Sequence, residues 1–517
     1  MEKFFNIAGP CLPQEHYLVP PLERIHGIKP LIEQKQYFVI HAARQTGKTT
    51  YLQHLATQIE KEGKYYALYC SLESAQVFTE PAEGLPQILA NIVFAVRNSN
   101  LPNRESFAKG IDKSEYATLV RQAFTDFCRL LNKPLVVLFD EIDALQNGTL
   151  ITFLRQLREG YISRGSIPFL HSVALVGMRN IRDYKSKLRD DQQTLGSASP
   201  FNIVTEAFTL KNFTLPEITA LYQQHTDRTG QVFQREAIEK VMAYSDGQPW
   251  LVNAIARECI TKLLNNDHSQ PITPLLVEQA AQNIMQRRDT HIDSLLDKLK
   301  DERVRKVIEP LIIGEKNEIS ITAEDTQYCI DLGLITAENG QIKPANLIYK
   351  EVIIRALSFD TQFHLMKNVE NIWAKPDGHL DMDGLMKAFQ LFWRENSEIW
   401  EEKYEYKEAA PHLILQAFLQ RVINGGGDIL REYANGNRRM DLCVRFGNKQ
   451  YPIEIKINYG PKTIPDGLAQ LADYMDSLGQ KTGWLVIFDR DKAKPWEKKI
   501  FWKTETSPKI TIHTVGC

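Results

Sequence analysis

Residues 37–50, YFVIHAARQTGKTT, constrain this chain more than any other stretch. Tyr37 to Ala42 form a short apolar run, as expected of a strand buried on both faces of a parallel sheet. A tight loop follows, and from Thr50 to about Glu62 apolar residues recur at helical spacing. Strand, loop and helix in that order make a phosphate-binding loop. The backbone amides of Gln45, Thr46 and Gly47 and the start of the helix face the phosphate oxygens. Lys48 neutralises those oxygens, Thr49 offers its hydroxyl to Mg²⁺, and Thr50 completes the loop. The first glycine of G-x-x-x-x-G-K-[ST] is replaced by Ala42.

A second apolar strand, Leu135 to Phe139, ends in Asp140-Glu141. In a phosphoryl-transfer site Asp140 would hold Mg²⁺ through water and Glu141 would polarise the attacking water; the alternative is a solvated acidic turn. A third strand, SVALVG (172–177), ends beside Arg179 and Asn180, where a γ-phosphate sensor would sit; an ordinary surface arginine is the alternative for Arg179. With Tyr65 to Leu72 as a further strand, the unit is an αβα sandwich around a mainly parallel sheet.

The length of 517 residues calls for three or four domains. Hydrophobic content of 43% with 24% charged residues is that of a soluble globular protein. A formal net charge of −2 excludes a global polycation, so any nucleic-acid contact must use local patches. None of the seven cysteines sits in a C-x-x-C pair, which argues against a zinc site or disulfide framework and fits a reducing cytosol. No secretory pattern opens the chain and no apolar run reaches a membrane-spanning length, so a cytoplasmic protein without membrane contact is expected.

Residues 440–456, MDLCVRFGNKQYPIEIK, alternate apolar and polar residues as a tight β-hairpin. With GNKQ as the turn and Phe446 paired to Tyr451, Asp441 falls opposite Lys456 and Cys443 opposite Glu454. Asp441 and Glu454 are then diagonal neighbours, about 5–7 Å apart at their β-carbons. Two carboxylates so placed can share one Mg²⁺ or Mn²⁺, and Lys456 can steady a developing negative charge. That constellation suits phosphodiester cleavage; an amphipathic hairpin with a solvated Glu/Lys pair is the alternative.

The N-terminal stretch FNIAGPCLPQEHYLVPPLERI, followed by ARQTGKTT, resembles the AAA-like ATPase domains of bacterial proteins related to the STAND class of signalling NTPases. Residues 199–218 are similar to the segment that leads into their helical lid. Gly247-Gln248-Pro249-Trp250 matches the lid motif Gly-x-Pro, which implies that Pro249 approaches the base or sugar; a helix junction would also use these residues. Val304 to Leu357 resembles the winged helix that follows, with Ala337-Glu338-Asn339-Gly340 as the wing turn. This likeness spans residues 5–357, with Pro20 and Pro21 standing where many relatives carry Gly-Arg or a similar pair.

Residues 358–408 read as a charged helical connector. From Ala410 onward the order is helix (PHLILQAFLQRVI), hairpin, helix (LAQLADYMDSLG) and buried strand (GWLVIFD). Over 410–490 this resembles the core of the PD-(D/E)XK nuclease superfamily. The resemblance implies Asp441 and Glu454 as metal ligands, Lys456 as the motif lysine, Glu432 as an additional acid and Gln470 as the glutamine beside the site. Surface positions are the alternative for Glu432 and Gln470. KAKPWEKKIFWK suits nucleic-acid backbone contact and base stacking, or else a solvated surface helix.

The expected chain is multidomain α/β: a P-loop ATPase core (1–212), a helical lid (213–295), a winged helix (296–358), a connector (359–408) and a restriction-endonuclease-like domain (409–517). The two resemblances together imply an ATP-binding and ATP-hydrolysing module. It would switch or assemble a Mg²⁺-dependent endonuclease acting on double-stranded DNA, as a homo-oligomer or with a partner protein. A part in antiviral defence against foreign DNA rests on analogy. The rival is a DNA-binding or partner-sensing scaffold ATPase whose C-terminal domain binds without cutting.

Overall fold

A computed structural model describes residues 3–517 apart from 113, 179–202, 288–289, 313–321, 339–340, 366–374, 376–378, 402–409, 424–426, 436–437, 459, 490 and 492; for some others, Glu432 and Asp441 among them, only the backbone is described. The chain divides into two compact units, Met1–Arg287 with Thr326–Leu347, and Arg288–Asp325 with Ile348–Cys517.

In the first unit, α1 (Ile28–Glu33) leads into β1 (Tyr37–His41), followed by α2 (Lys48–Glu62), β2 (Tyr66–Ser71), α3 (Pro81–Arg97), α4 (Leu119–Arg129), β3 (Leu135–Asp140), α5 (Asn147–Ser163), β4 (Ser172–Gly177) and β5 (Val204–Thr209). The strands form one parallel sheet in the order β2-β3-β4-β1-β5. Strand periodicity divides its residues between two cores. Val39, Val137, Phe139 and Leu175 pack under α3, α4 and α5. Phe38, Ile40, Val136, Leu138 and Val176 pack under α1 and α2. Burial on both faces explains why these strands read as unbroken apolar runs.

The lid follows as α6 (Leu215–Thr229), α7 (Arg235–Ser245), α8 (Pro249–Arg257) and α9 (Pro274–Gln286). Thr214 and Glu217 form a capping box at α6, and the side chain of Gln248 caps α8 by accepting from the Leu251 N–H. The N-terminal segment is fastened to these helices. Phe5 and Tyr17 join Tyr222, His225 and Phe233 in an aromatic cluster, and Trp250 Nε1 donates to the Ile7 carbonyl at 2.8 Å.

The chain then passes through α10 (Thr290–Lys298) and α11 (Glu302–Ile312), which belong to the second unit. It returns to the first with most of α12 (Ala323–Asp331) and the hairpin β6 (Ile335–Glu338) and β7 (Gln341–Pro344). The stretch expected as a winged helix is thus shared between the units. Glu338 pairs with Gln341, and the intervening turn residues 339–340 of the expected wing lie outside the described residues.

The second unit continues with α13 (Leu347–Leu365), α14 (Met382–Glu401), α15 (Ala410–Ile423), β8 (Gly427–Asn435), β9 (Arg438–Phe446), β10 (Lys449–Ile457), α16 (Thr463–Leu478), β11 (Thr482–Phe488), the short α17 (Trp496–Lys499), β12 (Phe501–Thr506) and β13 (Thr511–Gly516). Its sheet runs β12-β13-β11-β10-β9-β8, with β10, β11 and β13 parallel. Leu471 and Met475 of α16 cover one face. On the other face Phe389 and Trp393 of α14 pack against Phe488, and Phe389 also meets Phe418 of α15. Helix α14, which reads as part of a connector, is therefore core: Gln390 Nε2 donates to the Phe501 and Gly516 carbonyls. The basic-aromatic stretch KAKPWEKKIFWK is not the solvated helix weighed above but one helical turn running into edge strand β12, where pairing with β13 outweighs helix extension.

Candidate functional site

The carboxyl ends of β1, β3 and β4 meet at one edge of the first sheet, the usual place for a ligand in a parallel α/β fold. Helix α2 begins at Lys48, two residues before the sequence pattern suggested, so Lys48, Thr49 and Thr50 form its first turn. Gln45 (φ +57°) and Gly47 (φ +92°) take left-handed conformations. Such turns bring successive N–H groups to one concave side, a nest for an anion. Ala42 lies outside the left-handed region and is 4% exposed, so a methyl group is accommodated where the motif has glycine.

Lys48 is buried, and its ammonium donates to the carbonyls of Ala42 (2.9 Å) and Ala43 (3.0 Å). Burial lowers its pKa; Glu141, Asp143 and Asp140 act in the opposite sense. Thr49 Oγ1 donates to Asp140 Oδ2 at 2.7 Å, and the Tyr69 hydroxyl donates to the same oxygen at 3.1 Å. Asp140 Oδ1 accepts from the Glu141 N–H at 3.0 Å. Glu141 stands at φ +56°, strained for a residue with a side chain. Burial, and then Asp143, lift its carboxyl to about 6. Asp143 Oδ1 in turn accepts from the Met178 N–H at 3.0 Å, joining β3 to the end of β4.

Of the remaining expected nucleotide residues, Thr50 accepts from the Cys11 N–H at 3.0 Å, and Pro249 is buried at the start of α8. Arg179 and Asn180 lie outside the described residues. Tyr69, Asp143 and Arg24, whose Nη1 donates to the Thr46 carbonyl at 2.9 Å, are contacts that sequence reasoning missed, and Gln248 was named only as part of the lid motif. For Tyr69 the signal was available: it shares the Ala67 face of β2, towards α2. A buried ammonium resting on neutral carbonyls, beside a hydroxyl–carboxylate pair, fits a nucleotide phosphate with Mg²⁺. The P-loop fold itself implies nucleotide binding.

In the second unit the hairpin register differs from expectation. Phe446 pairs with Lys449, not Tyr451, across the two-residue loop Gly447-Asn448. The tighter turn shifts the arms by two residues, which preserves every side chain's face. The described pairing of these arms runs as far as Ile453↔Leu442; carried one step further, that register sets Asp441 opposite Glu454 rather than diagonal to it. On the other side, Arg431↔Leu442 and Tyr433↔Met440 set Glu432 opposite Asp441. Glu432, Asp441 and Glu454 thus occupy one cross-strand row of β8, β9 and β10, with strands about 4.8 Å apart.

Glu454 is 2% exposed, and Lys456 Nζ lies 2.7 Å from its Oε1. Lys456 faces α16 at Gly467, where a methyl group would come within 3.3 Å of the lysine Cγ. Gln470, one turn later on α16, is exposed. No cluster of three or more metal-ligating side chains occurs among the described residues, which do not include the side chains of Glu432 and Asp441. No helix among the described residues is long and apolar enough to cross a membrane.

Residues 17–354 match the family model described as an AAA-like domain, and residues 386–492 match one described as a domain of unknown function (DUF8371). No curated protein matches the chain in sequence. Among solved structures, the Walker-type ATPase of Pyrococcus abyssi is similar at 13% identity and a TM-score of 0.47, over 68% of this chain and 99% of that one. The Holliday junction branch migration motor RuvB of Thermotoga maritima is similar at 13% identity and a TM-score of 0.33, over 66% and 92%. The Orc1 protein of Aeropyrum pernix, solved in complex with DNA, is similar at 11% identity and a TM-score of 0.35, over 65% and 92%. With its P-loop, its acid-ended third strand and a family match over most of its length, the chain belongs to the AAA-like domain family.

Proposed function

We propose that this protein binds and hydrolyses ATP in its first unit, and that the nucleotide state controls a metal-dependent phosphodiester-cleaving site in its second. Bound Mg²⁺ supplies charge neutralisation at the phosphates and, at the second site, an acidic water. In the first unit Lys48 binds the terminal phosphates, Thr49 and Asp140 hold the metal, and Glu141 takes a proton from the attacking water, the task its raised pKa suits. The loop amides of Gln45 to Gly47 bind phosphate oxygens, and Pro249 borders the base or sugar.

The cleavage half of the proposal is carried by the register of β8, β9 and β10, which, continued one step past Ile453↔Leu442, aligns Glu432, Asp441 and Glu454 in a row, with Lys456 two residues along β10 and 2.7 Å from Glu454. Helix, antiparallel meander, crossover helix and parallel strand in that order (α15, β8–β10, α16, β11) also accord with a PD-(D/E)XK nuclease core. Glu454 and Asp441 would hold the metal, Glu432 would add a third acid, and Lys456 would offset charge on the phosphate. Double-stranded DNA is the substrate proposed.

Incubating supercoiled plasmid with the protein and Mg²⁺ or Mn²⁺, with and without ATP, tests the reading. Nicking or linearisation that Glu454→Ala abolishes is expected. Intact plasmid under every condition, with salt-sensitive DNA binding that survives Lys456→Ala, would instead establish a scaffold ATPase.

A further inference from the structure

A nest accepts an anion only while its N–H groups point inward, which requires its carbonyls to be held outward. Every carbonyl of the phosphate loop has an identifiable partner. Lys48 Nζ takes those of Ala42 and Ala43, and Thr46 Oγ1 also donates to the second at 2.9 Å. Gly47 O accepts from the Tyr51 N–H inside α2. The three between them are met by residues far away in sequence. Gln248 Nε2, at the head of lid helix α8, approaches Arg44 O (3.5 Å) and Gln45 O (3.4 Å). Arg24 Nη1 donates to Thr46 O at 2.9 Å.

These two donors are themselves coupled. The second nitrogen of the Arg24 guanidinium donates to Lys211 O, and its plane lies over the Phe213 ring, 4.7 Å from Cζ to the ring centroid. Phe213 N donates to Gly247 O at 2.8 Å, and Asn212 Nδ2 donates to Asp246 O at 3.0 Å. The path from loop to Arg24, to the lid linker, to the Gly247-Gln248 turn and back to the loop is closed. Gln248 is oriented without ambiguity, because its Oε1 accepts from the Leu251 N–H at 2.7 Å and leaves only the amide nitrogen for the loop.

We propose that Arg24 and Gln248 are positioning residues that turn the loop carbonyls outward, so that the loop accepts nucleotide phosphates only while the lid is docked. This rests on the nucleotide-binding reading above. Closing the lid and ordering the loop are then one event, and phosphate occupancy is reported to the lid through its own helix cap.

The test uses the full chain and MgATP binding by calorimetry. Gln248→Glu keeps the acceptor that caps α8 but replaces the donor with an oxygen facing two carbonyls. Arg24→Gln keeps one donor and loses the span between Thr46 and Lys211. Each is expected to weaken MgATP binding about ten-fold, with a lowered Tm for Gln248→Glu, whose buried oxygen faces two carbonyls, and a smaller change for Arg24→Gln, so that the two losses of affinity do not scale with Tm. The double variant is expected to lose clearly less than the product of the two, because both hold one loop. MgATP affinity within two-fold of wild type in both single variants, a loss that merely follows Tm, or strictly multiplicative losses would overturn the proposal. Wild-type protein that binds no MgATP would instead overturn the nucleotide reading, and this inference with it.

Discussion

Thr49 Oγ1 and Asp140 Oδ2 lie 2.7 Å apart across 91 residues of sequence, with the Tyr69 hydroxyl on the same carboxylate oxygen. A hydroxyl–carboxylate pair of this kind is where the proposed Mg²⁺ would bind, and Tyr69 fixes the carboxylate's orientation from outside. Residues in that role commonly change metal affinity by about ten-fold or more when removed. Tyr69→Phe should therefore raise the Mg²⁺ concentration for half-maximal ATP hydrolysis about ten-fold. Metal-free ATP affinity should stay the same; an unchanged Mg²⁺ titration would remove Tyr69 from this role.

Glu141 gives a pH prediction. Its carboxyl is raised to about 6 by burial and then by Asp143, from an ordinary value of 4.5. As proposed general base it must be ionised, so ATP turnover should fall as pH drops through about 6. For stability the sign is opposite. The folded state holds this proton more tightly than the unfolded chain, so the group's contribution is present below 4.5 and is lost as pH rises through about 6. Glu141→Gln should thus abolish hydrolysis, retain MgATP binding, and raise the Tm of metal-free protein at pH 8 but not at pH 4. A Tm difference independent of pH would contradict this.

Lys48→Ala removes the ammonium that rests on the Ala42 and Ala43 carbonyls. MgATP binding should be lost to calorimetry while circular dichroism still shows the folded secondary structure, with a lowered Tm because the Ala42 carbonyl loses its donor. Retained binding would exclude Lys48 from phosphate recognition.

Gly247 is held at φ +70°, and a β-carbon there would lie 1.9 Å from the Phe213 carbonyl oxygen. Gly247→Ala should push the lid turn off the linker and destabilise the first unit by about 2–4 kcal/mol in urea unfolding. A change below about 0.5 kcal/mol, the scale of an ordinary surface substitution, would show that the contact relaxes freely.

At the second site, Lys456→Met keeps the stem packed against α16 and removes the charge beside Glu454. Plasmid cleavage should fall at least about a hundred-fold while ATP turnover is unchanged. Cleavage that survives would leave Glu454–Lys456 as a structural ion pair.

Much of this was legible because the strands of the first sheet are buried on both faces and end in chemistry. YFVIHA leading to Lys48, and LVVLF leading to Asp140, could be placed without knowing their neighbours. The hairpin was legible in its faces but not in its register. Alternation fixes which side Asp441 and Glu454 occupy, whereas the turn fixes what stands opposite, and Gly447-Asn448 closes in two residues where four were expected. Helix α14 read as a connector because its charge is dense; its core side, Phe389 and Trp393, acquires meaning only once Phe488 is beside it.

By itself, then, the sequence located the phosphate-loop residues and the acid-ended strand on their elements, because those signals are local: a strand period, a glycine loop, a helix start. Only the tertiary structure decided which of them meet. The row of Glu432, Asp441 and Glu454 depends on pairing across three strands. The hold of Arg24 and Gln248 on the loop depends on the N-terminal segment, the lid linker and the lid converging on carbonyls up to 204 residues away. Backbone carbonyls are chemically alike in every residue, so no side-chain pattern can announce which will need a distant donor.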